Sequence, residues 1–155
     1  MSRQPTDLDL KMMERAIELA RQGALMGEVP VGAVVYRDDG QILGEAHNQR
    51  ETAHDPTAHC EILALRQAAG AVGSWRLDGC AIAVTLEPCP MCAGALVNAR
   101  IDRLVYGATD PKMGCVDTLY QLCTDSRFNH RLEVVGGVMA HQCVRLLQEF
   151  FQSRR

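Results

Sequence analysis

Apolar residues recur near helical spacing over residues 7–25, where Leu8, Met12, Ile17, Leu19 and Ala20 fall close to one stripe. Thr6 followed by Asp9 fits a capping box at the start of this helix. The period then changes. Residues 31–36 are a valine-rich apolar run, Asp38, Asp39 and Gly40 make a turn, and residues 42–46 form a second run, which together predict a β-hairpin. Asp55, Pro56 and Thr57 open a second helix, which Gly70 is expected to end. Residues 80–86 are continuously apolar, as in a central strand covered on both faces. Pro88, Cys89 and Pro90 start a third helix reaching about Ala99. Residues 104–107 are a fourth strand, 115–123 a weak helix, 132–135 a fifth strand, and 140–151 a closing helix with Leu146, Leu147 and Phe150 on its apolar side.

Five strands interleaved with about five helices predict an α/β fold of three layers, a mixed five-stranded sheet with helices on both faces. The first two strands pair as a hairpin and the others need helical crossovers. With 155 residues and no linker, repeat or low-complexity segment, the whole span 1–155 reads as a single domain.

Two short segments carry candidate chemistry. His59 stands in Ala58-His59-Cys60-Glu61, and Cys89 and Cys92 stand in Pro88-Cys89-Pro90-Met91-Cys92. Imidazole with two thiolates suits zinc, and Cys-x-x-Cys lets both sulfurs reach one ion. Pro90 belongs in the first turn of a helix, which places Cys89 at the cap and Cys92 one turn in, where N–H groups favour thiolate over thiol. Residues two apart share no helix face, so His59 and Glu61 can meet at one site only where their helix is beginning. Three protein ligands leave a fourth position for water, and a metal brings that water's pKa to roughly 7. Glu61 is then the proton carrier: it takes the water proton, hands it to a ring nitrogen and assists the departure of ammonia. Two other readings stay open at this point. The cysteines alone could be a redox pair, and one of Cys60, Cys80, Cys115, Cys123 or Cys143 could close a purely structural zinc site.

Bulk properties narrow the setting. Hydrophobic residues at 47% and charged ones at 23% exclude a disordered chain, and a net charge of −3 excludes a uniformly basic nucleic-acid coat. Positive charge nonetheless gathers at the end, where residues 126–155 hold five Arg against two Glu, including Arg154 and Arg155. Seven cysteines in no framework spacing, with no apolar leader or membrane segment, predict a reducing, cytoplasmic location.

His-x-Glu with Pro-Cys-x-x-Cys is the known signature of zinc nucleobase deaminases, within the cytidine deaminase-like superfamily. Further segments narrow the likeness: Glu28-Val29-Pro30-Val31-Gly32-Ala33-Val34, Asn48, His54-Asp55-Pro56-Thr57-Ala58-His59, Thr85-Leu86-Glu87-Pro88-Cys89, Asp110-Pro111-Lys112, Asn129-His130-Arg131 and Phe150-Phe151. From about residue 12 to 155 the chain resembles the bacterial tRNA-specific adenosine deaminases (TadA type), which convert the wobble adenosine of a tRNA anticodon to inosine. The resemblance implies one Zn2+ per subunit on His59, Cys89 and Cys92, with Glu61 as proton shuttle. It implies that Asn48 holds the base, that the Ala58 backbone lies beside the reacting edge, and that Val29 and Pro30 form apolar wall. Asp110 and Lys112 would contact the anticodon stem-loop, and Phe150, Phe151, Arg154 and Arg155 would stack on or pair with its nucleotides. It implies a homodimer with each RNA site shared between subunits. The chain departs from the family at Cys60, where a small residue is usual, and at Val116-Asp117, where a small residue and glycine are usual. Two alternatives remain: a deaminase of free guanine, cytosine or their nucleosides, and a zinc-stabilised RNA-binding module without activity.

Overall fold

The computed structural model describes residues 4–154. Arg155, one of the expected RNA contacts, lies outside the described residues. The elements run α1 (Asp7–Leu25), β1 (Gly32–Arg37), β2 (Ile42–His47), α2 (Cys60–Val72), β3 (Cys80–Leu86), α3 (Pro90–Ala99), β4 (Arg103–Ala108), β5 (Glu133–Val135) and α4 (Ala140–Gln152). The strands form one mixed sheet in the order β2-β1-β3-β4-β5. β1 is antiparallel to β2 and to β3, while β3, β4 and β5 run parallel.

Two apolar layers sandwich the sheet. Met12, Met13, Ala16 and Ile17 of α1, with Cys143 of α4, pack on Val34, Ala83 and Val105. On the other face Ala64 and Leu65 of α2 and Ala93 and Leu96 of α3 cover Val35, Ile82, Val84 and Leu104. β3 is buried on both faces, as its unbroken apolar run requires. The Thr6–Asp9 capping box forms as expected, with each side chain accepting from the other's backbone N–H. Asp9 is also a tertiary anchor, accepting from Tyr36 Oη at 2.8 Å and pairing with Arg103, so α1 is fastened to β1 and β4.

Three expectations are corrected. Gly70 lies inside α2, which ends instead at Gly73, whose φ of 71° is the left-handed conformation of a helix cap. Residues 115–123 form turns, not a helix, so four helices stand among the described residues. The β4-to-β5 crossover is consequently a long loop over residues 109–132, tucked under the α2–α3 face by buried Cys115, Val116, Cys123 and Leu132.

The topology assembles one edge. The start of β1 and the ends of β2, β3 and β4 all lie there, because Ala33 pairs with Val84, Gly32 with His47, and Leu86 with Ala108. Loops leaving the carboxyl ends of parallel strands are where an open α/β sheet builds its ligand site.

Candidate active site

His59 and Cys89 occupy equivalent places, each the N-cap of its helix with an extended backbone: φ −72°, ψ 150° for His59 and φ −73°, ψ 175° for Cys89. Neither side chain caps its own helix. For α2 the cap is delegated to Asn48, whose Oδ1 accepts the Cys60 backbone N–H at 2.9 Å, leaving the imidazole free. The helix thus begins at residue 60, as the meeting of His59 and Glu61 requires. Asp55 and Thr57 make a separate turn upstream, with the Thr57 N–H and hydroxyl both donating to Asp55 Oδ1.

The two helix starts converge. His59 Nδ1 lies 3.6 Å from both Cys89 Sγ and Cys92 Sγ. The three ligand atoms sit within 4.8 Å of one another and could hold a metal ion; among the described residues no other His, Cys, Asp or Glu joins this group. A hydrogen bond from the Cys92 thiol pulls Cys89 down to about 4, and that same bond, with burial, raises Cys92. The neighbouring side chain outweighs the helix-end N–H as the cause. The hydrogen bond to Cys89 raises His59.

Glu61, in the first turn of α2, is 4% exposed, and burial lifts its carboxyl above the ordinary 4.5. Cys60, fully buried, is not one of the group of three; its Sγ donates to Glu61 Oε1 at 3.1 Å. Burial and the adjacent Glu61 push its thiol well up.

A cavity of about 890 Å³ opens over this centre, lined by His59, Glu61, Cys89, Val29, Asn48, Asp110, Lys112 and Phe151 among the expected residues. Cys92 lies beneath it, fully buried. Four of the expected contact residues, Pro30, Ala58, Phe150 and Arg154, do not line the cavity. Pro30 is buried, and Val29 and Val31 line the cavity on either side of it; the three lie ahead of β1 in a tight turn closed by the Val31 N–H donating to Val29 O at 2.9 Å. Both Ala58 backbone groups are committed to loop bonds, its N–H to Asp55 O and its carbonyl to Gln49 N–H. Phe150 is 9% exposed and one face is covered by the Arg154 guanidinium 4.2 Å from the ring centre, so its ring is not open for stacking on a base, whereas Arg154 itself is exposed. Phe151, 52% exposed, is the open aromatic. The basic end is largely self-paired: Arg127 bonds Asp125, Arg131 donates to the carbonyls of Ser126 and Phe128, and Arg145 approaches Glu149.

Two buried carboxylates had no role assigned from sequence. Glu28 accepts from Glu51 N and Thr52 N; burial would raise its pKa, but these N–H groups hold it below the ordinary range. Glu87 accepts from the Asp110, Val116, Asp117 and Thr118 amides and the Thr118 hydroxyl, which likewise overcome burial. Both also line the cavity. For Glu87 the available signal is a lone glutamate directly after the apolar run of β3. At the departure from the family pattern, Val116 is fully buried and Asp117 accepts from Tyr106 Oη at 2.5 Å.

Residues 8–155 match the model of the MafB19-like deaminases. The chain is 48% identical to the tRNA-specific adenosine deaminase of Bacillus subtilis over 92% of this chain and 88% of that protein. It is 47% identical to the Haemophilus influenzae protein of the same name, over 97% and 87%. A solved structure from studies of A-to-I editing by tRNA:A34 deaminases at the wobble position superposes with a TM-score of 0.84, at 39% identity over 88% of this chain and 99% of that one. This extent of likeness, spread over the whole sheet and the convergent helix starts, places the chain in the tRNA-specific adenosine deaminase family.

Proposed function

We propose that this chain, as a single deaminase domain, hydrolyses adenosine to inosine at the wobble position of a tRNA anticodon. The observation that carries the reading is a buried Glu61 beside a three-donor group at the floor of a cavity, in a chain 48% identical to a tRNA-specific adenosine deaminase. The donors fit zinc. Bonds of about 2.3 Å to sulfur and 2.0–2.1 Å to nitrogen at a tetrahedral angle place N and S roughly 3.6 Å apart, the separation found between His59 and each cysteine. Three ligands with cavity on the open side favour a catalytic over a structural site. Bound there, one ion per subunit, zinc supplies Lewis-acid activation of a water molecule.

The chain's own residues do the rest. Glu61 takes a proton from the attacking water and delivers it to ring N1 of adenine; it then takes the second proton from the new C6 hydroxyl and gives it to the amine as the C6–N bond breaks and ammonia leaves. Its raised pKa suits a group that must both accept and release a proton near neutrality. Asn48 keeps one N–H and one lone pair beyond its bonds to Cys60 N and Val29 O, and these serve the base edge. Val29, Val31 and Leu86 exclude water around the ring. Lys112 and Phe151 at the mouth receive phosphate and a flanking base of the anticodon stem-loop.

The chain works as a homodimer, for which exposed Leu119 and Tyr120 on the 109–132 loop supply apolar surface. All seven cysteines are free, which supports a reducing, cytoplasmic setting. No helix of the described residues is long and apolar enough to cross a membrane. The test is paired turnover of an anticodon stem-loop and of free adenosine, guanine and cytosine. Ammonia release with the stem-loop alone is expected. Faster turnover of a free base contradicts the RNA assignment, and none with any substrate leaves a zinc-stabilised binding module.

A further inference from the structure

The Glu87 carboxylate is the meeting point of two loops that chemistry must keep in register. Its backbone leads directly into Pro88 and Cys89, and its own N–H donates to Ala108 O at 2.8 Å. Its Oε1 accepts from Asp110 N at 3.1 Å and the Thr118 hydroxyl at 2.5 Å. Its Oε2 accepts from the amides of Val116, Asp117 and Thr118 at 3.1, 2.8 and 3.0 Å. All five donors belong to residues 110–118, a segment with no helix or strand ladder to satisfy them. Gly114 completes the seat: a Cβ there would lie 2.4 Å from the Glu87 carboxylate. This segment and the residue before it form the cavity wall at Thr109, Asp110, Lys112 and Met113.

We infer that Glu87 is a positioning residue for substrate binding, a carboxylate that locks the 110–118 loop to the cysteine-bearing loop and so sets the wall that receives the RNA. Although it lines the cavity, it is not a second proton shuttle, because its oxygens are saturated by loop donors. The inference rests on the proposed deaminase activity for its kinetic arm and on geometry alone for its structural arm.

Glu87→Gln tests it. An amide keeps one acceptor oxygen but turns an NH2 toward donors, either the three amides at Oε2 or Asp110 N at Oε1, so part of the lock must open. Amide hydrogen exchange should accelerate on the order of tenfold or more in peptides covering 110–118, and not in those covering α2 and α3. On an anticodon stem-loop, KM should rise by about tenfold or more while kcat changes less than about threefold, with metal content unchanged. Thr118→Val, which removes one donor without touching the carboxylate, should move exchange and KM in the same direction by less. Combined with Glu87→Gln it should add little, because the two act through one contact. Unchanged exchange in 110–118 overturns the lock, whatever the enzyme acts on. Accelerated exchange with unchanged KM overturns the substrate role, as does a kcat that falls in step with lost metal. An inactive wild-type chain instead strikes at the deaminase reading and leaves the exchange result to decide the lock.

Discussion

Gly44 is where the seating of α2 on the sheet can be tested. The helix carrying His59 and Glu61 lies so close to β2 that a Cβ at Gly44 would stand 2.3 Å from Ala64 O, 2.9 Å from Ala68 N and 2.9 Å from Gln67 Cβ. Ordinary contact begins at 3.4 Å, so Gly44→Ala forces α2 and β2 apart by about 1.1 Å. The obstacle is helix backbone and cannot rotate away. Overpacking of this kind costs about 1–3 kcal/mol. At roughly 2–4 °C per kcal/mol for a chain of this size, Tm should fall by about 2–12 °C. The clash falls at Ala64 to Ala68, just beyond the first turn that carries Glu61; a shift of the helix as a rigid unit moves that turn too, and a misplacement of ~1 Å can cost on the order of 10²-fold in turnover. Gly70→Ala is the internal control on the same helix. Nothing lies within 4 Å of that added Cβ, so it should stabilise by about 0.5–1 kcal/mol. Thermal unfolding and stem-loop kinetics on both variants decide the matter. If Gly44→Ala melts and turns over like the parent chain, α2 does not rest on β2 as described. If Gly70→Ala destabilises, Gly70 is a terminus and not an interior position.

Three further outcomes are expected of the same structure. Cys89→Ser and His59→Ala should each lose metal by elemental analysis and lose stability with it, since binding couples to folding; full zinc in either removes that residue from the ligand set. Asp9 is held below its ordinary 3.8, because bonds from Arg103, Thr6 and Tyr36 overcome the burial that would raise it. A depressed carboxyl stabilises the fold above the unfolded value and loses that contribution as pH falls through the folded one. Asp9→Asn should therefore cost roughly 3 kcal/mol at neutral pH and flatten the acid limb of the stability profile below about pH 4, whereas an unchanged acid limb refutes the assignment. Phe151→Ala should raise KM for the stem-loop by about tenfold with Tm nearly unchanged, while Phe150→Ala should lower stability by roughly 3 kcal/mol; the reverse pattern would exchange their roles.

Where local rules act alone, sequence and structure agree. The Thr6 capping box, the continuous apolar strand at 80–86 and the Cys89 cap before Pro90 depend on neighbours a few residues away, and all three form. Two of the failures involve distant partners. Asp55, Pro56 and Thr57 carry the chemistry of a helix start, but the first free N–H of α2 is satisfied by Asn48, twelve residues upstream, so the helix waits until residue 60. Residues 115–123 read as weakly helical, yet beyond the first turn the amides do not meet carbonyls four residues back: the Leu119 N–H donates to Gly114 O and the Leu122 N–H to Cys115 O, while Glu87, about thirty residues away, holds the amides of Val116, Asp117 and Thr118. Gly70 reads as a terminus because glycine usually marks one, but of the two glycines near this helix end it is Gly73 that adopts the left-handed conformation. The site itself was legible to the extent that it lies at helix starts. His59, Glu61, Cys89 and Cys92 meet because two short motifs each open a helix at the same sheet edge. The split between buried Phe150 and open Phe151 depends on how α4 docks, which no local pattern records.

Mass spectrometry of an anticodon stem-loop deaminated in heavy-oxygen water, by the wild-type chain and by Glu61→Ala, addresses the centre of this account. Hydrolysis places one solvent oxygen on the purine ring. The wild-type product should therefore be inosine carrying the heavy label at the wobble position and nowhere else. Glu61→Ala should retain its metal and fold while its rate falls by at least on the order of 10²–10⁴, the contribution of a general acid–base group. Inosine without the label would contradict hydrolysis by solvent water. Labelled inosine formed by metal-replete Glu61→Ala at the wild-type rate would contradict Glu61 as the residue that moves the protons.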